Sequence, residues 1–131
     1  MTTALDRDAS AAAGGRLWRV STRAELEALR RSRLRGRVGS LAVTWLPPAP
    51  GSAGPPRAAF AVGRSAGGAV VRNRIRRRLR AALRLLQADG RLPAGSYLIG
   101  AGADVAEQPW PELVTALSAA LEGATQGGSR S

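Results

Sequence analysis

A single stretch, residues 70–86, constrains the fold of this chain more than any other part of its sequence. It reads VVRNRIRRRLRAALRLL and places seven arginines between Arg72 and Arg84, with no acidic residue among them. At about 100° per residue, its apolar residues fall on one helical stripe. The members of this stripe are Ile75, Leu79, Ala82, Leu83 and Leu86. The pattern predicts a helix over about residues 69–87 that buries this stripe in a core.

Beside the stripe, four arginines recur at every fourth position. They are Arg72, Arg76, Arg80 and Arg84, with Asn73 and Arg77 on the adjoining strip. Like charges at this spacing destabilise an isolated helix by about 0.2–0.5 kcal/mol each. The stretch contains no glutamate to relieve that repulsion, so an external polyanion is the natural counter-charge. One guanidinium group can donate two parallel hydrogen bonds to the oxygens of a phosphate. RNA, a DNA major groove and an anionic membrane all fit this composition, but the membrane would compete with the core for the apolar stripe.

The positive charge is concentrated in the middle of the chain. All 20 basic residues are arginines, and they oppose nine acidic ones in 131 residues, for a net charge of +11. Residues 15–91 hold eighteen of the arginines and three of the acids. Such a local excess creates a positive potential that attracts phosphate polyanions. The length is that of one domain. We predict a single RNA-binding domain over residues 15–122, between disordered tails at 1–14 and 123–131.

The absence of histidine and cysteine excludes several classes of function. Disulfides, thiolate nucleophiles, zinc sites of the usual kinds and Ser-His or Cys-His catalytic devices all require one of these residues. We therefore expect no catalytic side chains, no metal site and no cofactor held by the protein alone. The longest uncharged stretch, residues 38–56, contains five prolines and cannot be a continuous helix. The amino terminus lacks the features of a signal peptide. These observations predict a cytoplasmic protein.

Periodicity and turn residues predict an α+β fold, a small mixed sheet packed with about three helices. A capping box at Thr22-Arg23-Ala24-Glu25 starts a helix over about 22–33. Alternating residues predict strands at 41–45 and 58–62, a Pro/Gly loop covers 46–56, and the apolar run 96–100 predicts a central strand. Pro111 suits the first turn of a last helix. A further strand is expected near 36–40 or within 57–63.

The segment RAAFAVGRSAGGAVVRNRIRRRLRAAL, residues 57–83, resembles the signature of the bacterial ribonuclease P protein family. The central match is AVVRNRIRRRLR at 69–80, which follows a strand and a glycine turn. The resemblance implies the element order α-β-β-(β)-α-β-α. It also implies a protein cofactor for a catalytic RNA that removes the 5′ leader of precursor tRNA. The RNA subunit then binds the magnesium ions and carries the chemistry, and the partners are that RNA and precursor tRNA, with no DNA and no membrane.

The resemblance also implies two sets of site residues. The candidates for contact with the catalytic RNA are Arg64, Arg72, Asn73, Arg74, Arg76, Arg77, Arg80 and Arg84. The candidates for a leader-binding cleft between the first helix and the sheet are Leu26, Arg30, Ala42, Thr44, Phe60 and Val62. The family usually has aromatic residues where this chain has Leu26 and Arg30, and an aromatic near Thr44. Leader contacts are therefore expected to depend more on charge than on base stacking.

Two other classes of protein share part of this pattern. A ribosomal-type RNA-binding protein with no associated nuclease needs the basic surface but neither the ordered 57–83 pattern nor a second, cleft-like face. A DNA-binding regulator would need a helix-turn-helix pair and usually a dimer surface. The long Pro/Gly loop and the strand pattern disfavour the regulator.

Overall fold

The computed structural model describes residues 18–20, 22–51 and 54–126. The predicted tail at 1–14 lies outside these residues. The strands are β1 Trp18–Arg19, β2 Arg35–Val38, β3 Leu41–Leu46, β4 Arg57–Ala61 and β5 Ser96–Gly100. The helices are α1 Arg23–Arg31, α2 Ala69–Ala88 and α3 Trp110–Thr125. Short 3-10 turns occur at Arg64–Ala66 and Ala103–Ala106. No helix in this described part is long and apolar enough to cross a membrane.

The strands form one mixed sheet in the order β1-β4-β5-β3-β2. β4 and β5 run parallel and are joined through α2, whereas β3 is antiparallel to both β2 and β5. β5 lies between β4 and β3, as the apolar run at 96–100 predicts. The α+β prediction is confirmed. The extra strand expected near 36–40 is β2, and the two-residue β1 is too short to leave a pattern in the sequence.

The strand register assigns residues to the two faces of the sheet. Phe60 pairs with Ile99, which pairs with Val43, so these three share one face. Because side chains alternate along a strand, the neighbouring rows face the other way. We call this second side the open face. Its members on the three central strands include Ala42, Thr44, Ala59, Ala61, Leu98 and Gly100.

The main core lies between the first face and the helices α2 and α3. The apolar stripe predicted for α2 is buried throughout, from Ile75 to Leu86. Leu113, Leu117 and Leu121 of α3 belong to the same core. Tyr97 is fully buried, and its hydroxyl donates a hydrogen bond to the carbonyl oxygen of Pro93. This burial raises the pKa of the Tyr97 phenol.

Helix α3 approaches the edge of the sheet closely because Gly36 has no side chain. A Cβ atom built on Gly36 would lie 2.0 Å from the carbonyl oxygen of Ala120 and 2.9 Å from the amide nitrogen of Ala124. The buried Ala124 keeps the helix ordered up to Thr125. The helix therefore extends into the segment 123–131, whose remaining residues from 127 lie outside the described part.

Helix α1 packs on the open face, where it contacts β3 and β5. The capping prediction is half right: Thr22 Oγ1 accepts a 3.1 Å hydrogen bond from the Glu25 amide. The Glu25 carboxylate does not return the bond to the helix start. It accepts hydrogen bonds from Ser96 and Arg57 instead, because these side chains of the sheet lie beneath the first turn. The helix ends at Arg31, slightly before the predicted residue 33.

Candidate nucleic-acid interface

The exposed side of α2 presents a shallow basic depression. It is open to solvent, has a volume of about 520 Å³, and is lined by Val70, Asn73, Arg76, Arg77 and Arg80. Val70 is 81% exposed. The predicted helix therefore brings four of the RNA-contact candidates to one concave surface. The guanidinium groups are held by a helix whose opposite stripe is buried, so binding a polyanion would require little rearrangement of the backbone.

Three polar side chains on this surface make short-range contacts that orient them. Arg76 Nη1 donates a 3.2 Å hydrogen bond to Asn73 Oδ1, and Arg72 Nε donates one of 3.2 Å to the carbonyl oxygen of Gly67. The amide nitrogen of the Asn73 side chain makes no hydrogen bond within the described residues. Asn73 can therefore donate to an external acceptor while its oxygen holds Arg76.

Arg80 contacts the core from the edge of the depression. Its guanidinium carbon lies 5.4 Å from the centre of the Phe60 ring, which is within range of a cation–π interaction. Phe60 packs against the main core. The contact places the guanidinium of Arg80 over the ring, and the N–H groups, which lie in the guanidinium plane, can still donate hydrogen bonds.

The other flank of α2 uses its arginines to hold a loop. Arg74 Nε donates a 2.9 Å hydrogen bond to the carbonyl oxygen of Ala106, and Arg74 Nη2 lies 3.8 Å from a carboxylate oxygen of Glu107. Arg78 donates to the carbonyl oxygens of Val105, Ala106 and Gln108. Arg74, which the sequence groups with the RNA contacts, is thus directed to a different flank from the depression.

The remaining candidates carry charge that the protein does not neutralise. Arg64, Arg77 and Arg84 are exposed, and their side chains make no hydrogen bond or ion pair within the part of the chain that the structure describes. Arg77 and Arg84 extend from the same side of α2 as the depression, and Arg64 precedes the helix in the 3-10 turn. These three arginines are the most available partners for phosphate.

The open face brings together only part of the predicted cleft. Ala42 and the buried Thr44 lie on it beside α1, which contributes the half-buried Leu26 and the exposed Arg30. Phe60 and Val62 do not lie there: both belong with the core on the opposite face. Strand alternation places Ala59 and Ala61 on the open face instead. The alternation of side chains along strand β4 is the sequence signal that assigns Phe60 and Val62 to one face and Ala59 and Ala61 to the other.

Several residues of the open face were not singled out from the sequence. In strand β2, Arg37 pairs with Ala42 and is exposed, which places a cation at the edge of this face. Arg35 pairs with Thr44, but its guanidinium donates to the carbonyl oxygens of Arg30 and Ser32 and so ties α1 to the sheet. A Cβ atom built on Gly100 would meet only the carbonyl oxygen of Ala61, at 3.6 Å. Apart from the neighbours of Gly100 in the chain, no other described atom lies within 4 Å of this position.

Residues 18–20, 22–51 and 54–126 contain no group of three or more carboxylates that could hold a metal ion.

These features define a class: an α+β RNA-binding domain with an arginine-lined helix on one side and an open, small-residue sheet face on the other. The family model described as Ribonuclease P matches residues 15–125. The chain belongs to the ribonuclease P protein family.

Individual relatives agree with this assignment. The ribonuclease P protein component of Thermobifida fusca is 38% identical over 114 residues, which cover 82% of this chain and 76% of that protein. The one from Thermus scotoductus is 39% identical over 111 residues, covering 85% of this chain and 62% of that protein.

Solved structures share the fold at lower identity. A variant of the Staphylococcus aureus RNase P protein superposes with a TM-score of 0.66 at 17% identity, covering 82% of this chain and 88% of that one. The RNase P protein from Thermotoga maritima gives a TM-score of 0.62 at 17% identity, covering 76% and 90%.

Proposed function

We propose that this chain is the protein subunit of ribonuclease P, an endoribonuclease that acts as a ribonucleoprotein and removes the 5′ leader of precursor tRNA. The observation that carries the proposal is the separation of two surfaces on one small domain. The exposed side of α2 offers uncompensated arginines, and the open face offers a second, distinct surface beside α1. A protein that only stabilised an RNA fold would need the first surface alone.

The α2 surface is suited to the catalytic RNA. Arg77 and Arg84 have no partner within the described residues, and the depression around Asn73 combines guanidinium groups with an amide donor. Arginine contacts to phosphate supply affinity that depends on salt. Asn73 adds a group that distinguishes hydrogen-bond acceptors rather than charge.

The open face is suited to a single strand. Its floor near Ala61 and Gly100 consists of small side chains, so a backbone with splayed bases can lie flat against the sheet. Arg37 and Arg30 supply positive charge on two elements that border it. Aromatic side chains, which stack bases strongly, are not among the residues we place on this floor. We therefore expect weak base preference and marked salt dependence for leader binding.

The chemistry is assigned to the RNA subunit. With no histidine or cysteine in the sequence, the chain lacks the usual groups for proton transfer at neutral pH. In this proposal the RNA subunit, and no residue of this chain, would hold the magnesium ions, and these would supply the metal-ion catalysis of phosphodiester cleavage. The chain works in the cytoplasm, where its RNA partners are made.

Leader-length dependence of binding tests the role of the open face. Precursor tRNAs with leaders of one to eight nucleotides, and mature tRNA, are bound to the RNA subunit assembled with this protein. The protein-dependent preference for precursor should rise over the first few nucleotides and then stay constant. Gly100→Val, which adds a side chain above the free floor, should lower that preference roughly fivefold or more.

The control introduces a valine at a position away from the open face. Ala119 is exposed on α3, so Ala119→Val should leave the preference unchanged. A protein contribution that ignores leader length would remove the leader from the proposal and favour a structural RNA-binding role.

A further inference from the structure

One end of the open face carries a carboxylate held between two elements. Glu25 of α1 is 15% exposed at its side chain, and its Oε1 accepts a 3.1 Å hydrogen bond from Arg57 Nη1. Its Oε2 accepts a hydrogen bond from the hydroxyl of Ser96. Arg57 pairs with Ser96 in the sheet register, in the same row as Leu46. The guanidinium of Arg57, half exposed, is therefore neutralised where it borders the open face.

A hollow in the protein surface lies beyond this ion pair. The hollow, of about 720 Å³, begins at Glu25, Arg57 and Ser96. Its other walls are mainly apolar or small and include Leu46, Pro48 and Pro55. Among the described residues that line it, Arg57 is the one cation and Glu25 is the one anion. A nucleic-acid strand entering this hollow would find room for its bases but no unpaired positive charge for its phosphates.

We propose that Glu25 sets the far limit of the leader-binding surface by sequestering Arg57. The inference rests on the proposed function, because it concerns the same open face. The contact with the leader ends at Arg57 because no unpaired positive charge lies beyond it among the described residues that line the hollow, although there is room for further nucleotides. A phosphate that reaches Arg57 meets a guanidinium whose charge Glu25 already balances, and it must lie close to that carboxylate, which is an unfavourable like-charge contact. Leader nucleotides beyond this point obtain no further affinity from the protein.

A purely structural role for Glu25 is separable from this one. The carboxylate also anchors the first turn of α1 to the sheet through Ser96. In Glu25→Gln, the amide oxygen can still accept the hydrogen bond from Ser96 while the negative charge is removed. The anchor is kept and Arg57 is released. If Glu25 only supports the fold, this variant should bind leaders as the original protein does, or less well.

The experiment measures binding of precursor tRNAs with leaders of one to eight nucleotides to the RNA subunit assembled with each protein variant. With Glu25→Gln, affinity should keep rising for one or two nucleotides beyond the plateau of the original protein. The longest leaders should bind about two- to fivefold more tightly, as for one added exposed ion pair. The salt dependence for long leaders should steepen by about 0.7, the slope for one phosphate contact on a single strand.

Three variants serve as controls. Glu27→Gln removes the same charge from an exposed position of the same helix, and its plateau should not move. Arg57→Gln alone leaves the Glu25 carboxylate without its charge partner, so the plateau should not move to longer leaders. In the double variant Glu25→Gln/Arg57→Gln, the increase in affinity should disappear.

The outcomes separate the two proposals. If the original protein shows no leader-length dependence, the open-face proposal and this inference both fail. If that dependence is present but Glu25→Gln leaves the plateau in place, or Glu27→Gln moves it equally, only the role of Glu25 is overturned. An outward shift of the plateau in the double variant Glu25→Gln/Arg57→Gln would also overturn it, because the added contact would then not be made by Arg57.

Discussion

The guanidinium of Arg78 donates a 2.7 Å hydrogen bond to the carbonyl oxygen of Ala106, and the same nitrogen donates one of 2.9 Å to the carbonyl oxygen of Val105. The side chain of Arg77, its neighbour in the helix, makes no hydrogen bond or ion pair within the described residues. Arginines that look equivalent in the sequence thus serve different purposes. Those on one flank of α2 secure a loop of the protein, and those on the other remain available for RNA.

Arg78→Gln should therefore lower the stability of the fold, whereas Arg77→Gln should weaken the binding of RNA. Arg78→Gln removes charged hydrogen bonds to carbonyl groups of the 105–108 loop, so the free energy of unfolding should fall by about 2 kcal/mol. Arg77→Gln should change it by less than about 0.5 kcal/mol but weaken binding to the RNA subunit. Denaturant unfolding and RNA titration of both variants check this pair. Equal loss of stability in both would contradict the division.

The arginines whose side chains have no partner among the described residues should raise the affinity for the RNA subunit by binding its phosphate groups. For Arg77→Gln/Arg84→Gln, the slope of log affinity against log salt should fall by about 0.7–0.9 for each phosphate that the variant no longer binds. Asn73→Ala removes a directional group and no charge, so affinity should fall while the slope stays nearly the same. Titrations at several salt concentrations provide both numbers. An unchanged slope in the arginine variant would show that these groups do not bind phosphate.

The close approach of α3 makes Gly36 sensitive to a single methyl group. Gly36→Ala places a Cβ atom 2.0 Å from the carbonyl oxygen of Ala120, and the helix must move away from β2. The free energy of unfolding should fall by about 3 kcal/mol. At Gly63, where a Cβ atom would meet nothing within 4 Å, the same substitution should be close to neutral. Thermal or denaturant unfolding that ranks the two variants equally would refute the close approach.

The buried Tyr97 should make the fold sensitive to alkali. Because burial raises the pKa of this phenol in the folded protein, the unfolded chain releases the proton first, at about pH 10. Stability from this group is complete below that pH and should be lost above it, by up to about 1.4 kcal/mol per pH unit. Tyr97→Phe should cost about 1 kcal/mol at neutral pH, because the hydrogen bond to Pro93 is removed. Its stability should then decline less steeply above pH 10.

Much of the fold follows from local patterns in the sequence. The stripe from Ile75 to Leu86 has a strict helical period and predicts α2 closely, and the apolar run at 96–100 predicts the bounds of β5. β1 could not be predicted because its two residues are set by pairing with β4, which is a tertiary contact. The 3-10 turn at Ala103–Ala106 likewise depends on the arginines of α2 that hold it.

The site was less accessible from the sequence than the fold. The charge of α2 predicts a polyanion partner, and the helical spacing separates Arg74 and Arg78 from the strip that holds Arg77, but nothing in the sequence shows that Arg74 and Arg78 hold a loop. Only the packing of the 105–108 loop does so. The resemblance to the family assigns Phe60 and Val62 to the cleft, whereas their alternation with Ala59 and Ala61 indicates the opposite face of the sheet. The ion pair between Glu25 and Arg57 joins distant parts of the chain and leaves no local pattern.

The most direct test of the account is cleavage of precursor tRNA by the reconstituted components. The RNA subunit from the same source, the purified protein, and both together are assayed at low and high magnesium concentrations. We expect the RNA alone to cleave slowly at high magnesium, the protein alone not to cleave, and the two together to cleave efficiently at low magnesium. Cleavage by highly purified protein without RNA, or no increase in cleavage when the protein is added to the RNA, would contradict the account.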